Sequence, residues 1–95
     1  MGDQFEMLIL NYCDVSHKLL NEMKQAVADS DAEALKRSAH PLKSSSAQLG
    51  AIGVSECAKK LEAIGLEGTV EGADELLDDF DNMLEESIAY LRSNV

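Results

Sequence analysis

Apolar side chains at Phe5, Leu8, Ile9, Tyr12, Leu19, Leu20, Met23 and Val27, with Ser16 filling the gap, recur at steps of three and four. That is the spacing of an amphipathic helix, predicted over roughly residues 4 to 28. Asp29-Ser30-Asp31 follows, and Ser30 with Glu33 has the spacing of a capping box, so a second helix is expected from near Asp31. In it Leu35, Ala39, Leu42, Ser46 and Leu49 form one narrow, mostly apolar seam facing the core. Gly50 and Gly53 are expected to end that helix. Val54, Cys57, Ala58, Leu61 and Ile64 make a shorter third stripe that stops at Gly65 and Gly68. From about Val70 a fourth stripe runs through Ala73, Leu76, Leu77, Phe80, Met83, Leu84, Ile88 and Leu91. Four such helices on short connections predict an all-α, antiparallel up-down-up-down four-helix bundle. At 95 residues, with no linker or repeat to divide it, the chain is expected to be one domain over residues 1–95.

Charge narrows the function. A formal net charge of −10 from 18 acids against eight Lys and Arg disfavours nucleic acid and anionic membrane surfaces as partners. The acids gather on the fourth helix, at Glu71, Asp74, Glu75, Asp78, Asp79, Asp81, Glu85 and Glu86, whereas the second and third hold most of the cations. No apolar run approaches the roughly 18 to 20 residues that span a bilayer. No signal peptide is visible, and Glu6 stands where a myristoylation signal needs Ser or Thr. Cys13 and Cys57 fit no metal or redox spacing and read as buried or half-buried thiols in a reducing compartment. A cytoplasmic location is expected.

The candidate chemistry lies in Ala39-His40-Pro41-Leu42-Lys43-Ser44-Ser45-Ser46-Ala47-Gln48-Leu49-Gly50-Ala51. At about 100° per residue His40 falls opposite Leu42, in company with Lys36, Arg37, Lys43, Ser44 and Ala47, so it is expected to face solvent. A neutral imidazole is a competent nucleophile near physiological pH, and its N–P bond stays reactive enough to pass a phosphoryl group onward. Lys43 shares its face and suits the developing charge on phosphoryl oxygens, with Lys36 and Arg37 one turn earlier. Small side chains at Ser44 and Ala47 leave room for another protein's loop. Pro41 removes a backbone N–H and predicts a local kink.

An isolated histidine on a charged face is usually just solvated; the residues around this one say otherwise. His40 with Leu42, Lys43, Ser44, Leu49 and Gly50, continued by Cys57 and Leu61-Glu62, resembles the signature of the histidine phosphotransfer (HPt) domain over most of the chain. Ser44 stands where the family most often has Gly. The resemblance implies that His40 accepts a phosphoryl group from a receiver-domain aspartate and passes it to another receiver, as a phosphocarrier rather than an autonomous kinase. It implies that Glu62 bonds the second imidazole nitrogen and fixes the tautomer, and that a hydrophobic surface beside His40 docks the receiver. It implies no cofactor in this chain, the magnesium ion belonging to the receiver of a response regulator or hybrid sensor histidine kinase. Lys59 and Lys60 are expected to extend the positive rim, and a monomer suffices for the relay.

Other features read blandly. His17 lacks the downstream pattern and is expected at the surface or a helix boundary. Asp78-Asp79-Phe80-Asp81 lacks the glycine and terminal Glu of a calcium loop. Ser44, Ser45 and Ser46 have no nucleophile-elbow spacing. A non-phosphorylated helical adaptor that binds a receiver or kinase competes with the phosphocarrier, kept open by Pro41. The start at the first helix fits a module of a hybrid kinase as well as a stand-alone protein.

Overall fold

A computed structural model describes residues 2–93, with residues 2, 3 and 5 described in their backbone alone. Helix α1 spans Gly2–Ala28, α2 Ala32–Gln48, α3 Ile52–Leu66 and α4 Ala73–Ser93, and the described residues contain no strand. At 1.5 Å per residue the 27 residues of α1 reach about 40 Å, nearly the full 44 Å length of the molecule. The helices therefore lie along its long axis. α1 packs on α2 and α4, and α3 packs on the same two, so α2 and α4 face each other diagonally across the core.

That core takes the predicted stripes almost as the periodicity lays them out. Ile9, Leu20 and Met23 of α1, Leu35, Ala39 and Leu42 of α2, Val54, Cys57, Ala58 and Leu61 of α3, and Leu77, Phe80, Leu84 and Ile88 of α4 are all buried. The side chain of Phe5 lies outside the described residues. Ser46 is tolerated on the core seam because its hydroxyl pairs with the Tyr12 phenol at 2.7 Å. Burial pushes the Tyr12 pKa up despite that bond. Ser16, the gap in the first stripe, is buried beside them, close enough for its hydroxyl to act on the Tyr12 phenol. Leu8 departs from expectation: it is half exposed. Tyr12 is level with Ser46, so Leu8, one turn earlier, reaches the level where α2 is ending and little remains to cover it.

The helix ends correct the sequence reading in four places. Ser30 does not cap α2. It sits at φ 54°, its N–H donates to the Val27 carbonyl at 3.1 Å and the next N–H, of Asp31, to Ala26 at 2.8 Å, which is a Schellman closure of α1. A residue committed to that left-handed turn cannot also cap the next helix. Asp31 does so, its Oδ1 accepting from Ala34 N–H at 3.0 Å, and Glu33 pairs with Lys36 instead, at 3.2 Å. Gly50, at φ 82°, closes α2 in the same way, but Gly53 lies inside α3 rather than ending α2. Gly65 does not stop the third helix either; it is a buried member of it. α4 begins at Ala73, about three residues later than the apolar pattern suggests, and α2 runs unbroken through the exposed Pro41.

A left-handed residue with a Cβ carries about 1–2 kcal/mol of strain, against about 0.5–1 kcal/mol for the extra freedom glycine has in the unfolded chain. Ser30→Gly is therefore expected to stabilise the bundle by about 0.5–1 kcal/mol, read as a higher urea midpoint with an unchanged slope.

Candidate functional site

His40 stands on the middle of α2 with 66% of its side chain exposed, while Leu42, on the opposite side of the helix, is fully buried. The two remaining members of the cluster come from one turn along α2 and from α3. His40 Nδ1 lies 2.5 Å from Glu62 Oε2, and Lys43 Nζ donates to Glu62 Oε1 at 2.7 Å. One carboxylate thus holds both side chains. An ionised carboxylate only accepts hydrogen bonds, so in the neutral ring Nδ1 carries the proton and Nε2, away from Glu62, the lone pair. The carboxylate is only 14% exposed, against 34% for Lys43. The Lys43 ammonium holds the Glu62 pKa below its ordinary 4.5, against the opposing push of burial and with help from the His40 bond. Glu62 is ionised at neutral pH, and the tautomer it selects is the nucleophilic one at Nε2.

The other predicted residues are placed as follows. Lys36 and Arg37 line a shallow depression with Glu33, His40 and Glu62, so two cations flank the imidazole. Ser44 and Ala47 are exposed, one and two turns beyond His40 on its own face. Lys59 is exposed and shares the α2-facing edge of α3 with Glu62, one turn away. Lys60, also exposed, lies about 100° further round α3, away from the edge that carries Glu62, and its charge acts on the Cys57 thiol.

Lys43, expected to meet phosphoryl oxygens, is engaged by Glu62 in this state. Two further residues support the arrangement and were not singled out for it by sequence. Ser55 Oγ donates to the Lys43 carbonyl at 2.7 Å, tying α3 to α2 beside the site. Gly65 lies on the same edge, one turn past Glu62. A serine on a helix face carries no signal of such a bond; a glycine that interrupts an apolar stripe three residues after Glu62 does carry one, of close helix approach.

Electrostatics set the face apart. α4, which carries Asp74, Glu75, Asp78, Asp79, Asp81, Glu85 and Glu86, lies diagonally across the bundle from α2. With neighbouring axes 8–10 Å apart, the diagonal is roughly 12 Å, beyond the ≈ 8 Å Debye length at physiological salt. The His40 face is thereby screened from most of the acidic surplus. His17 is a bridge between α1 and α4, its Nε2 at 2.8 Å from Glu85 Oε1 and its Nδ1 at 3.4 Å from Cys13 Sγ. Both of its nitrogens are engaged. Cys13 and Cys57 are free thiols, and burial pushes Cys57 up to about 11.

The family model of the Hpt domain matches residues 7–90. The chain belongs to the Hpt domain family. Hpt domains serve histidine phosphotransfer in phosphorelays and interact there with receiver domains. The fold agrees: the crystal structure of histidine-containing phosphotransfer protein B (HptB) from Pseudomonas aeruginosa PAO1 superposes with a TM-score of 0.91 at 23% identity, over 99% of this chain and 82% of that one. No curated protein matches the chain at a significant level. Among the described residues no helix of this Hpt chain is long and apolar enough to cross a membrane, and no His, Cys, Asp and Glu cluster is arranged to hold a metal ion.

Proposed function

We propose that His40 is the phosphoryl acceptor of this Hpt domain, taking the group from a receiver aspartate and passing it to another receiver. The observation that carries this is the single Glu62 carboxylate, which holds the proton of His40 on Nδ1 and leaves the Nε2 lone pair on an exposed side chain. Nε2 attacks the phosphorus of the aspartyl phosphate, and the P–O bond to the aspartate breaks with its electron pair leaving on the carboxylate. The imidazole gains a positive charge as the N–P bond forms. Glu62, still bonded to Nδ1–H, neutralises it, and Lys43 transfers part of its attraction to the phosphoryl oxygens while Lys36 and Arg37 add to the field. Return of the group to a second receiver reverses these steps.

Magnesium is assigned to the receiver. This site offers a cation one carboxylate that already holds two donors, set among Lys36, Arg37 and Lys43, and that donor set does not suit a hard divalent ion. The docking surface is the seam of α1 and α2 beside His40. Leu8 and Val15 are exposed there around a groove that also takes in Asn11, Ser45 and Gln48, with the exposed Pro41 next to His40. Ser44, Ala47 and Lys59 complete the rim.

The remaining assignments follow the same reading: one domain, acting as a monomer in the cytoplasm, with an up-down-up-down antiparallel bundle. The order of cross-helix contacts supports that topology. Tyr12 meets Ser46 while the later Glu22 meets the earlier Ser38. Lys43 meets Ser55 while Gly65 meets Ala32. His17 meets Glu85 while Lys24 meets Asp81.

Ser44→Phe tests access and mechanism together. It places a ring one turn from Nε2 on a solvent-exposed position, so stability is expected to change by less than about 0.5 kcal/mol while transfer from a phosphorylated receiver falls at least about 10-fold, on the order of 1.4 kcal/mol in barrier. Unchanged transfer would place the receiver elsewhere, and a receiver that binds the wild type without transferring phosphate would mark an adaptor.

A further inference from the structure

Gly65 is buried near one end of the α2–α3 contact, where the last turn of α3 lies against the first turns of α2. A Cβ built on it would meet Ala32 O at 2.7 Å, Lys36 N at 2.8 Å and Lys36 Cβ at 2.9 Å. Two of these atoms are backbone and the third is fixed to it, so no side-chain rotation relieves the contact. By comparison, a Cβ at Gly53 would meet only the Met83 sulfur, at 3.3 Å, the end of a flexible side chain. Gly65 is thus the point of closest approach that these glycines identify between α3 and its neighbours. It lies one turn from Glu62, and Lys36 lies one turn from His40, so the close approach and the His40–Glu62 bond are adjacent steps on the same two helices.

We propose that Gly65 is a positioning residue for His40: by admitting the α2 backbone it brings the Glu62 carboxylate within reach of His40 Nδ1 and Lys43 Nζ together. This rests on the phosphocarrier reading, but its first consequence, the state of the imidazole, does not need phosphate to be seen. An added methyl requires separation to ordinary contact, about 3.5–4.0 Å, a displacement of roughly 0.7 Å or more at that level. A hydrogen bond of 2.5 Å does not survive such a change without a new rotamer of Glu62, and a shift on the order of 1 Å near a reacting centre costs up to about 100-fold in rate.

The test is Gly65→Ala in the full chain, compared with Leu77→Ala, which removes core packing on α4 away from the α2–α3 contact. Imidazole nitrogen shifts report the tautomer, and transfer from a phosphorylated receiver reports the rate. Gly65→Ala is expected to lose the fixed Nδ1–H tautomer of the wild type and to accept phosphate about 10- to 100-fold more slowly, whereas Leu77→Ala keeps both while unfolding more readily. A wild-type tautomer and rate in Gly65→Ala would overturn the proposal, as would equal losses in both variants. Were Gly65→Ala unfolded in buffer, the tautomer is read in a stabilising osmolyte, and failure to fold there would make Gly65 a residue of the fold alone. A wild type that shows the Nδ1–H tautomer and takes no phosphate would refute the phosphocarrier reading and leave the role of Gly65 in placing Glu62 to be judged by the tautomer.

Discussion

Glu62→Ala is expected to slow phosphoryl acceptance by His40 about 10- to 100-fold, the cost typical of losing a group that orients a reactive imidazole, with the bundle still folded. Two effects combine. The imidazole loses the acceptor that keeps its proton on Nδ1, so part of the population presents a protonated Nε2, which has no lone pair to attack with. The charge that develops on the phosphoimidazole also loses its counter-ion. Glu62→Gln retains a carbonyl acceptor for Nδ1–H but not the charge, and is expected to fall between the two. Stability adds an independent readout. Because the native pKa of Glu62 is held below its ordinary 4.5, its ion pairing stabilises the fold fully above that value and is lost as pH falls from there through the lowered native value. Wild type is therefore expected to be more stable than Glu62→Gln at neutral pH, with the two urea midpoints converging in acid. Parallel curves would show that the ionisation of Glu62 is not linked to folding.

Phe80→Ala is the change expected to cost most in stability. Phe80 is fully buried and heads the buried side chains by volume, on the helix that faces α2 across the core. Truncating such a phenylalanine costs about 3–5 kcal/mol, from lost transfer energy and the cavity left behind. A domain of this size has about 5–15 kcal/mol in all, so a large share of its stability goes. The midpoint of thermal unfolding should fall by roughly 4–8 °C for each kcal/mol. His40 faces solvent on α2 while Phe80 lies in the core, so transfer below the new midpoint is expected to be near wild type. A small shift would mean that the neighbouring side chains close the cavity.

Much of this was legible in the sequence because helix periodicity is a local property. The stripes from Ile9 to Val27, from Leu35 to Leu49 and from Ala73 to Leu91 follow from 3.6 residues per turn, and so does the exposure of His40 opposite Leu42. The errors fall where a residue answers to something outside its own helix. Ser30 has the side chain of a cap, but its backbone is taken by the closure of α1. Gly65 has the look of a stop, but its lack of a Cβ serves α2. Leu8 keeps the apolar spacing, yet exposure depends on where the neighbouring helix ends. At the site, His40 and Glu62 were paired by family resemblance alone, since residues 22 positions apart show no mutual periodicity. The sharing of Glu62 by Lys43 and the Ser55 tie to the Lys43 carbonyl were invisible, because both depend on the register of two packed helices.

The central claim is that His40 carries the phosphoryl group. Incubating the domain with a phosphorylated receiver, then mapping the added phosphate by mass and by its survival in acid, tests this most directly. The account predicts an acid-labile phosphoryl group on His40 of the wild type and none on a folded His40→Ala domain. An acid-stable adduct, an adduct at another residue, or undiminished uptake by His40→Ala would contradict it.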